Sequence, residues 1–376
     1  MEIDILKMSR CKKIFIYIII YSFLELTSNY EFIGLNDSPS VVGIGVYSET
    51  MTEVLGKNRV ISLISNKYSK DLPHPGVIVN GVFPPLSGGW RLNHEFYREI
   101  LKRRGHELPE LIHYLSSWFI PPKSETEGIV TVEDVHWKKG GKKSVFKGDR
   151  RFIAWDNIIA NSELTKKDMV LAGFKEECIT VIHHPIPDFW HRVHEPPSSE
   201  NPNGLINSIG NKVDINRLNL EDRPIVLTVK DGPHRNNNLV KNATKGRYFH
   251  IHVGSDVKAD VNFVNINTEV LRYLYSIADV YVRVADSEGF GYPPLEALMC
   301  GTPSVVSDLP TYRETMGESA IYVQKNENAI ILGINEAIQS KKTYLKKFDD
   351  DYRSHFSKER FKNDMQNYYR ERGFKI

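Results

Sequence analysis

The chain of 376 residues has little cysteine and little net charge, and each shortage argues against a class of protein. Its three cysteines, Cys11, Cys178 and Cys300, are odd in number and far apart in the chain. This argues against a disulfide framework or a cysteine-based metal cluster and favours a reducing, cytoplasmic setting. The net charge of +2 provides no global field for nucleic acid, so no nucleic-acid partner is expected.

Long apolar runs are also lacking. The most apolar stretch, 14–26, is about 13 residues long, whereas a transmembrane helix needs roughly 20. The basic residues before it suit a signal peptide, but no small-residue cleavage site follows. Because 14–20 consists of β-branched and aromatic residues, we expect it to be the buried first strand of a parallel sheet.

The length and the hydrophobic content of 41% fit a packed globular protein with two domains. Strand-like runs alternate with helical patterns in both halves, which is typical of a doubly wound parallel sheet. A helix is expected at 94–104. The predicted strands are 60–64, 76–79, 111–115, 129–137, 178–185, 224–229, 248–254, 261–265 and 278–284.

The stretch 286–308 is the most informative part of the sequence. A strand ends there at a turn containing two glycines, and the pair Pro293 and Pro294 suits the first turn of a short helix, 294–300. The N-terminus of this helix carries unpaired N–H groups and a positive dipole end, and glycine permits close approach to the backbone. The pattern therefore predicts a phosphate site.

Two glutamates, Glu288 and Glu296, flank this predicted site. Carboxylates repel phosphate, but they accept hydrogen bonds from the hydroxyls of a ribose or a sugar. A sugar nucleotide offers both phosphates and hydroxyls. The alternative is that Glu288 is a solvated turn residue and that Glu296 only complements the helix dipole.

The whole stretch resembles the donor-binding signature of the retaining GT-B glycosyltransferases of family GT4. The similarity runs from about residue 271 to residue 323. It rests on the segments 271–279, 288–296 and 300–303 and on Glu314 and Gly317, all at the family's spacing.

This resemblance implies an α/β protein of GT-B fold, with two Rossmann-like, doubly wound parallel-sheet domains facing across a cleft. Residues 1–190, completed by a C-terminal helix at 357–376, would form the acceptor-side domain. Residues 191–356 would form the domain that binds the nucleotide sugar, and 185–220 would include the linker. The apolar spacing of Phe361, Met365 and Tyr369 predicts the C-terminal helix.

The resemblance also assigns candidate roles in the second domain. Glu288 would be catalytic, and the base would lie against Val264 and Asn265. The remaining candidates for donor binding in the signature are Gly289, Phe290, Gly291, Tyr292, Leu295 and Glu296.

A basic pair in the second domain, Lys230 and Arg235, follows the predicted strand 224–229. Its spacing matches the family's Arg and Lys pair, which holds the donor's diphosphate, but the two residue types are swapped. The swap keeps the charge, and arginine at the second position can bind phosphate bidentately. Val229 replaces the family's glycine.

In the first domain, Gly43 and Gly45 open a predicted helix, and the similar family loop lies near the donor phosphates and the acceptor. A His-Asp pair is common in the family at the end of the strand 129–137. This chain has Glu133 and Asp134 there, with His136 two residues on. Which of the three takes the place of the family's histidine stays open, as does the alternative that none has a role.

The predicted activity is transfer of a sugar from a nucleoside diphosphate sugar to a saccharide, glycolipid or protein-glycan hydroxyl, with retention at the anomeric carbon. Cofactor and catalytic metal are not expected, because no Asp-x-Asp motif is placed near the site. The basic loop 138–151 is either a solvated loop or a contact to an anionic membrane face or acceptor. The alternative functions are a sugar-nucleotide epimerase and a non-catalytic sugar-nucleotide binding protein.

Overall fold

A computed structural model describes residues 32–36, 43–56, 60–64, 77–80, 111–115, 127–133, 155–197, 206–207, 223–230, 232–264 and 266–374. The chain divides into two compact units. The first contains residues up to His183 together with Phe361–Ile376, and the second is His184–Arg360.

The chain passes from the first unit to the second after His183, whereas the sequence predicted this boundary at residue 190. The difference arises because the segment after His183 packs on the second unit. Ile186 N donates to Phe356 O at 2.9 Å, and the Trp190 ring lies edge-on to Tyr275 at 5.6 Å.

The first unit contains a parallel sheet of seven described strands in the order β3-β2-β1-β4-β5-β6-β7. Its described elements are β1 Phe32–Asn36, α1 Gly43–Leu55, β2 Val60–Ile64, β3 Val77–Asn80, β4 Leu111–Tyr114, β5 Glu127–Val132, β6 Ile158–Ala160, α2 Glu163–Leu171 and β7 Ile179–Val181. Ser162 caps α2 by accepting a hydrogen bond from Thr165 N. Serine is one of the residue types that favour this position.

The strand β1 is absent from the strands that the sequence predicted. β1 pairs with β2 on one side and β4 on the other, with Leu35 opposite both Ile61 and Tyr114. A five-residue strand containing a glycine has a weak local signal, and pairing on both edges overrides it. The predicted strand 14–20 and helix 94–104 lie outside the described residues.

The second unit also contains a sheet of seven described strands, in the order β14-β13-β12-β9-β10-β11-β8. All pairs are parallel except the short β8, which is antiparallel to β11. Its strands are β8 Ile206–Asn207, β9 Ile225–Val229, β10 Phe249–Val253, β11 Val261–Val264, β12 Val280–Arg283, β13 Ser304–Ser307 and β14 Ile321–Val323. Its helices are α3 Asn237–Thr244, α4 Thr268–Ile277, α5 Tyr292–Met299, α6 Pro310–Met316, α7 Glu327–Gln339 and α8 Lys341–Asp351.

Strands β9 and β12 are direct neighbours in this sheet and run parallel. Their carboxyl ends therefore meet at one edge, where open α/β sheets bind ligands. Lys230 follows β9 directly, and Glu288 lies on the turn after β12. The topology brings these two predicted site residues to the same edge.

The last helix, α9 Lys358–Glu371, packs into the core of the first unit. Its buried residues Phe361, Met365 and Tyr369 contact the apolar side of α1, including Tyr47 and Met51. The C-terminal helix predicted from the spacing of these three residues is therefore confirmed.

A buried polar chain connects α9 to the sheet of the first unit. The ring of His113 bonds to Tyr369 OH at 2.6 Å and to Thr131 Oγ1 at 2.8 Å, and Tyr47 OH bonds to the same Oγ1 at 2.8 Å. Burial lowers the pKa of His113 to about 3, so the ring is neutral at physiological pH. Each of these four buried side chains therefore has a hydrogen-bond partner.

We predict that Tyr369→Phe lowers the free energy of unfolding by about 1–3 kcal/mol, because it leaves a buried nitrogen of His113 without a partner. Tyr368→Phe is the matched control, since the buried Tyr368 hydroxyl has no hydrogen-bond partner among the described residues. Urea unfolding of both variants measures the difference. Equal midpoints would show that the His113 contact adds nothing.

Candidate functional site

Helix α5 begins at Tyr292, two residues before the predicted start, because Gly291 makes the turn into it. Gly291 has φ 92° and ψ 41°, a left-handed conformation that suits glycine. A Cβ there would lie 2.9 Å from Cε1 of Tyr312. The turn and the helix start therefore require glycine at this position.

Glu296 lies in the second turn of α5 and is only 8% exposed. Its Oε2 accepts a hydrogen bond from Tyr275 OH at 3.0 Å. Burial raises the pKa of Glu296 to about 7, although the attraction of Lys230 and the Tyr275 hydroxyl lower it. Its charge therefore changes near neutral pH.

Glu288 is held on the turn through one of its carboxylate oxygens. Its Oε2 accepts from Arg283 Nη2 at 2.8 Å and from Tyr312 OH at 3.4 Å, and its main-chain oxygen accepts from Thr311 Oγ1 at 2.8 Å. Its Oε1 has no hydrogen-bond partner within the described part of the chain, and the side chain is 20% exposed. Glu288 can therefore accept a ligand hydroxyl.

Arg283, the last residue of β12, was missed by the sequence reasoning. Its side chain is 2% exposed. Burial lowers the pKa of Arg283, but Tyr281 and Glu288 raise it, and the net shift is upward. An arginine inside an otherwise apolar strand was the available signal in the sequence, because a buried arginine needs a partner and so indicates a polar contact.

The two predicted phosphate-binding cations lie on the loop after β9. Lys230 has φ 71°, and its N donates to Val253 O at 2.7 Å. Its side chain reaches solvent, but the surrounding protein lowers the pKa of Lys230 by desolvation, against the attraction of Glu296. Arg235 ends a 3₁₀ turn, Pro233–Arg235. Its Nε and Nη1 are buried and have no hydrogen-bond partner among the described residues.

The segment between β9 and α3 carries both cations and is called the cation loop below. It is anchored to the turn after β12. Asn236, at φ 53°, donates through Nδ2 to Val284 O at 2.9 Å and to Asp286 Oδ1 at 3.1 Å. Asp286 N in turn donates to His234 O at 2.7 Å. These bonds fix the loop that carries Arg235 against the strand that leads to Glu288.

Asp256 anchors the other side of the same loop. Its carboxylate accepts from Gly232 N at 2.9 Å and from Asn237 Nδ2 at 3.0 and 3.1 Å. His252 Nε2 lies 3.0 Å from its Oδ1. The loop is therefore held from both ends before any ligand binds.

The remaining signature residues lie around the N-terminus of α5. The Phe290 ring packs against His184 at 5.5 Å, and Tyr292 OH bonds to Nδ1 of the same histidine at 3.0 Å. Leu295 is fully buried, so its side chain supports the helix from the core. Gly289 lies on the turn, and the half-buried Val264 ends β11.

The other candidates are placed only in part. Asp134, His136 and Asn265 lie outside the described residues, as does the basic loop 138–151. Glu133 is buried directly after β5, and its main-chain oxygen accepts from Thr165 Oγ1 at 3.3 Å. Gly43 and Gly45 form the first turn of α1 in the first unit, as predicted for this helix.

The second unit thus combines cations, the positive dipole end of α5 and hydroxyl acceptors at one sheet edge. Such a set can bind a ligand that carries both phosphate and hydroxyl groups. In the described part of the chain, no three His, Cys, Asp or Glu side chains are grouped so as to hold a metal ion. No helix there is long and apolar enough to cross a membrane.

Residues 255–354 match the profile of the family described as Glycosyl transferases group 1. This segment includes Glu288, Glu296 and helix α5. The resemblance predicted from the sequence is confirmed over this segment, which is similar to the group 1 glycosyltransferases.

Curated relatives match part of the chain. The chain is 34% identical over 107 residues to the O-antigen chain mannosyltransferase RfbU of Salmonella typhimurium, which is 26% of this chain and 30% of that protein. It is 38% identical over 72 residues to the O-antigen chain mannosyltransferase B of Escherichia coli, 19% of each chain. The matches thus span less than a third of these relatives.

Solved structures match over most of the chain. Anabaena HepE, crystallised with UDP and glucose, has a TM-score of 0.64 at 12% identity. The match covers 89% of this chain and 98% of the HepE chain. Sucrose-phosphate synthase from Thermosynechococcus elongatus has a TM-score of 0.64 at 17% identity and covers 90% and 98%. At this identity the likeness shows the fold, and it confirms the predicted α/β GT-B fold with two Rossmann-like units.

Proposed function

We propose that the protein transfers a sugar from a nucleoside diphosphate sugar to an acceptor hydroxyl. The observation that carries this proposal is the state of the Arg235 guanidinium. Two of its nitrogens are buried and have no hydrogen-bond partner among the described residues. Arg235 lies at the sheet edge that also carries Glu288. Buried donors without partners are costly, and a diphosphate would satisfy them. The group 1 profile, which covers Glu288 and Glu296, supports the assignment.

The diphosphate would be bound by Lys230, Arg235 and the N-terminus of α5. In the transfer, the bond between the anomeric carbon and the phosphate oxygen breaks, and negative charge develops on the leaving diphosphate. Cations held in place before the reaction stabilise this charge without reorganisation, which can contribute several kcal/mol. We therefore propose catalysis that depends on these side chains and needs no cofactor or metal.

The two carboxylates would bind the hydroxyls of the donor. Glu296, next to Tyr275, would accept from the ribose, and Glu288 would accept from the transferred sugar through Oε1. The contact with Arg283 supports an orienting role for Glu288, because a carboxylate paired with a guanidinium is a weak nucleophile.

We further propose retention at the anomeric carbon, as in family GT4. The acceptor oxygen would bond to that carbon on the face that the diphosphate leaves, and the acceptor proton would pass to the departing diphosphate. The likeness to O-antigen mannosyltransferases supports a saccharide acceptor. The HepE complex makes UDP the first nucleotide to test.

Product analysis tests the proposal. The chain is incubated with UDP-, GDP- and ADP-sugars, with and without saccharide acceptors, in EDTA. We expect a new glycoside whose anomeric configuration, read by proton NMR, equals that of the donor. A rearranged sugar without acceptor would identify an epimerase, and binding without any product would identify a binding protein. A glycoside of opposite configuration would refute retention. Turnover that requires Mg²⁺ or Mn²⁺ would refute metal independence.

Arg235→Ala is predicted to lower kcat by roughly 10²–10³, because it removes a charge partner of the leaving diphosphate. The exposed Arg247→Ala is the matched control and should keep wild-type kcat. Steady-state kinetics with the active donor measure both. A kcat within a few-fold of wild type for Arg235→Ala would contradict the phosphate assignment.

Nucleoside diphosphate affinity is predicted to increase from pH 6 to pH 8. The pKa of Glu296 is raised to about 7, so the carboxylate is protonated at pH 6 and ionised at pH 8. If only the ionised form accepts the ribose hydroxyls, this group contributes about tenfold in affinity. The measurement is calorimetric titration with UDP, GDP or ADP, whichever the wild type binds.

The variant Glu296→Gln should lose this part of the pH dependence and bind about 1.5–3 kcal/mol more weakly at pH 8. Ionisation of the ligand's own phosphate affects both proteins equally. The exposed Glu327→Gln, in the first turn of α7, is the control and should behave as wild type. Identical slopes in Glu296→Gln and wild type would rule out the ribose role.

A further inference from the structure

We infer that Arg283 is a positioning residue that fixes the carboxylate of Glu288 for the donor sugar. This inference rests on the proposed function, because it assigns Glu288 to the transferred sugar. Arg283 itself is 2% exposed and acts through Glu288 and through the main chain of the cation loop.

The guanidinium of Arg283 connects the two halves of the site. Its Nη1 donates to Val229 O at 3.0 Å, and Val229 directly precedes Lys230. Its Nη2 donates to Glu288 Oε2 at 2.8 Å. One side chain therefore sets the position of the cation loop relative to the carboxylate.

The energetics indicate that this arrangement is more than packing. The Nε of Arg283 is buried without a hydrogen-bond partner among the described residues. Well-packed apolar residues commonly match or exceed a buried ion pair in stability, and the incomplete bonding of Arg283 weakens the case for a stabilising role further. A buried arginine with an unsatisfied nitrogen, bound to a carboxylate at the site, is better explained by what it does to that carboxylate.

The consequence for Glu288 is that only one oxygen serves the ligand. Oε2 is occupied by Arg283 and by Tyr312 OH, whereas Oε1 has no hydrogen-bond partner in the described part of the chain. A carboxylate fixed in this way accepts a hydroxyl at one position and in one direction. Arg283 thereby selects donor sugars with a hydroxyl at that position. The loop that carries the cations keeps its other anchors, Asn236 and Asp256, so the affinity for the nucleoside diphosphate changes little without Arg283.

The first test is a double-mutant cycle on stability, using Arg283→Met, Glu288→Gln and the double variant. Arg283→Met leaves Glu288 without its buried partner, and we expect its melting temperature to decrease by roughly 5–15 °C. The double variant should recover much of this loss. Arg313→Met removes an exposed ion pair with Asp308 and a contact with the Tyr322 ring, and it is the control, with a shift below about 5 °C. Additive effects of the two single changes would overturn the inference.

The second test separates positioning from folding. Arg283→Lys keeps the charge but loses the fork that reaches both Val229 and Glu288. We expect kcat to fall at least tenfold, while the affinity for UDP, GDP or ADP, whichever the wild type binds, stays within threefold. Arg313→Met should keep both values. Wild-type kcat in Arg283→Lys, or an equal loss of nucleotide affinity, would overturn the positioning role.

The two tests also distinguish this inference from the proposed function. If the wild type transfers no sugar from any donor, the proposed function fails, and with it the sugar role of Glu288. The stability cycle still decides whether Arg283 fixes that carboxylate. If the wild type is active and Arg283→Lys behaves as wild type, the inference alone fails.

Discussion

The second unit depends on the placement of charge at the carboxyl edge of its sheet. Lys230, Arg235 and Arg283 stand there against two carboxylates, Glu288 and Glu296. Because the pKa of Glu296 is raised to about 7 by burial, one of these carboxylates is only partly ionised at neutral pH. The edge therefore carries an excess of positive charge, which the proposed diphosphate ligand would neutralise. The hydrogen bonds of Asn236 and Asp256 hold the loop that carries Arg235 at this edge.

Much of this edge could be predicted from the sequence. The order of strand, turn and helix in 286–308 was readable because glycines and prolines mark backbone positions that few other residues can take, as Gly291 confirms. The pair Lys230 and Arg235 was identified by its resemblance to the family's basic pair, and the structure places both residues on the loop after β9. The start of α2 follows from local chemistry alone, because a serine such as Ser162 favours the N-cap position.

Other parts could not be predicted, because they depend on contacts between distant segments. The strand Phe32–Asn36 has a weak local pattern and exists through its pairing with two neighbours. Arg283 is an exception in an apolar strand, and its contact with Val229, which is far away in the chain, is not visible in the local pattern. The raised pKa of Glu296 arises from burial, which one helical turn of sequence does not reveal.

The location of α9 has a consequence for the order of events during synthesis. Its residues Phe361, Met365 and Tyr369 complete the core around Tyr47 and Met51, yet they are translated only after the whole of the second unit. Domains usually fold from the N-terminus as the chain leaves the ribosome. Here the second unit has all its residues first, while the first unit must wait with part of its apolar core uncovered. The earliest part of this chain is therefore the last to finish folding, and it is the part most exposed to aggregation in a nascent chain.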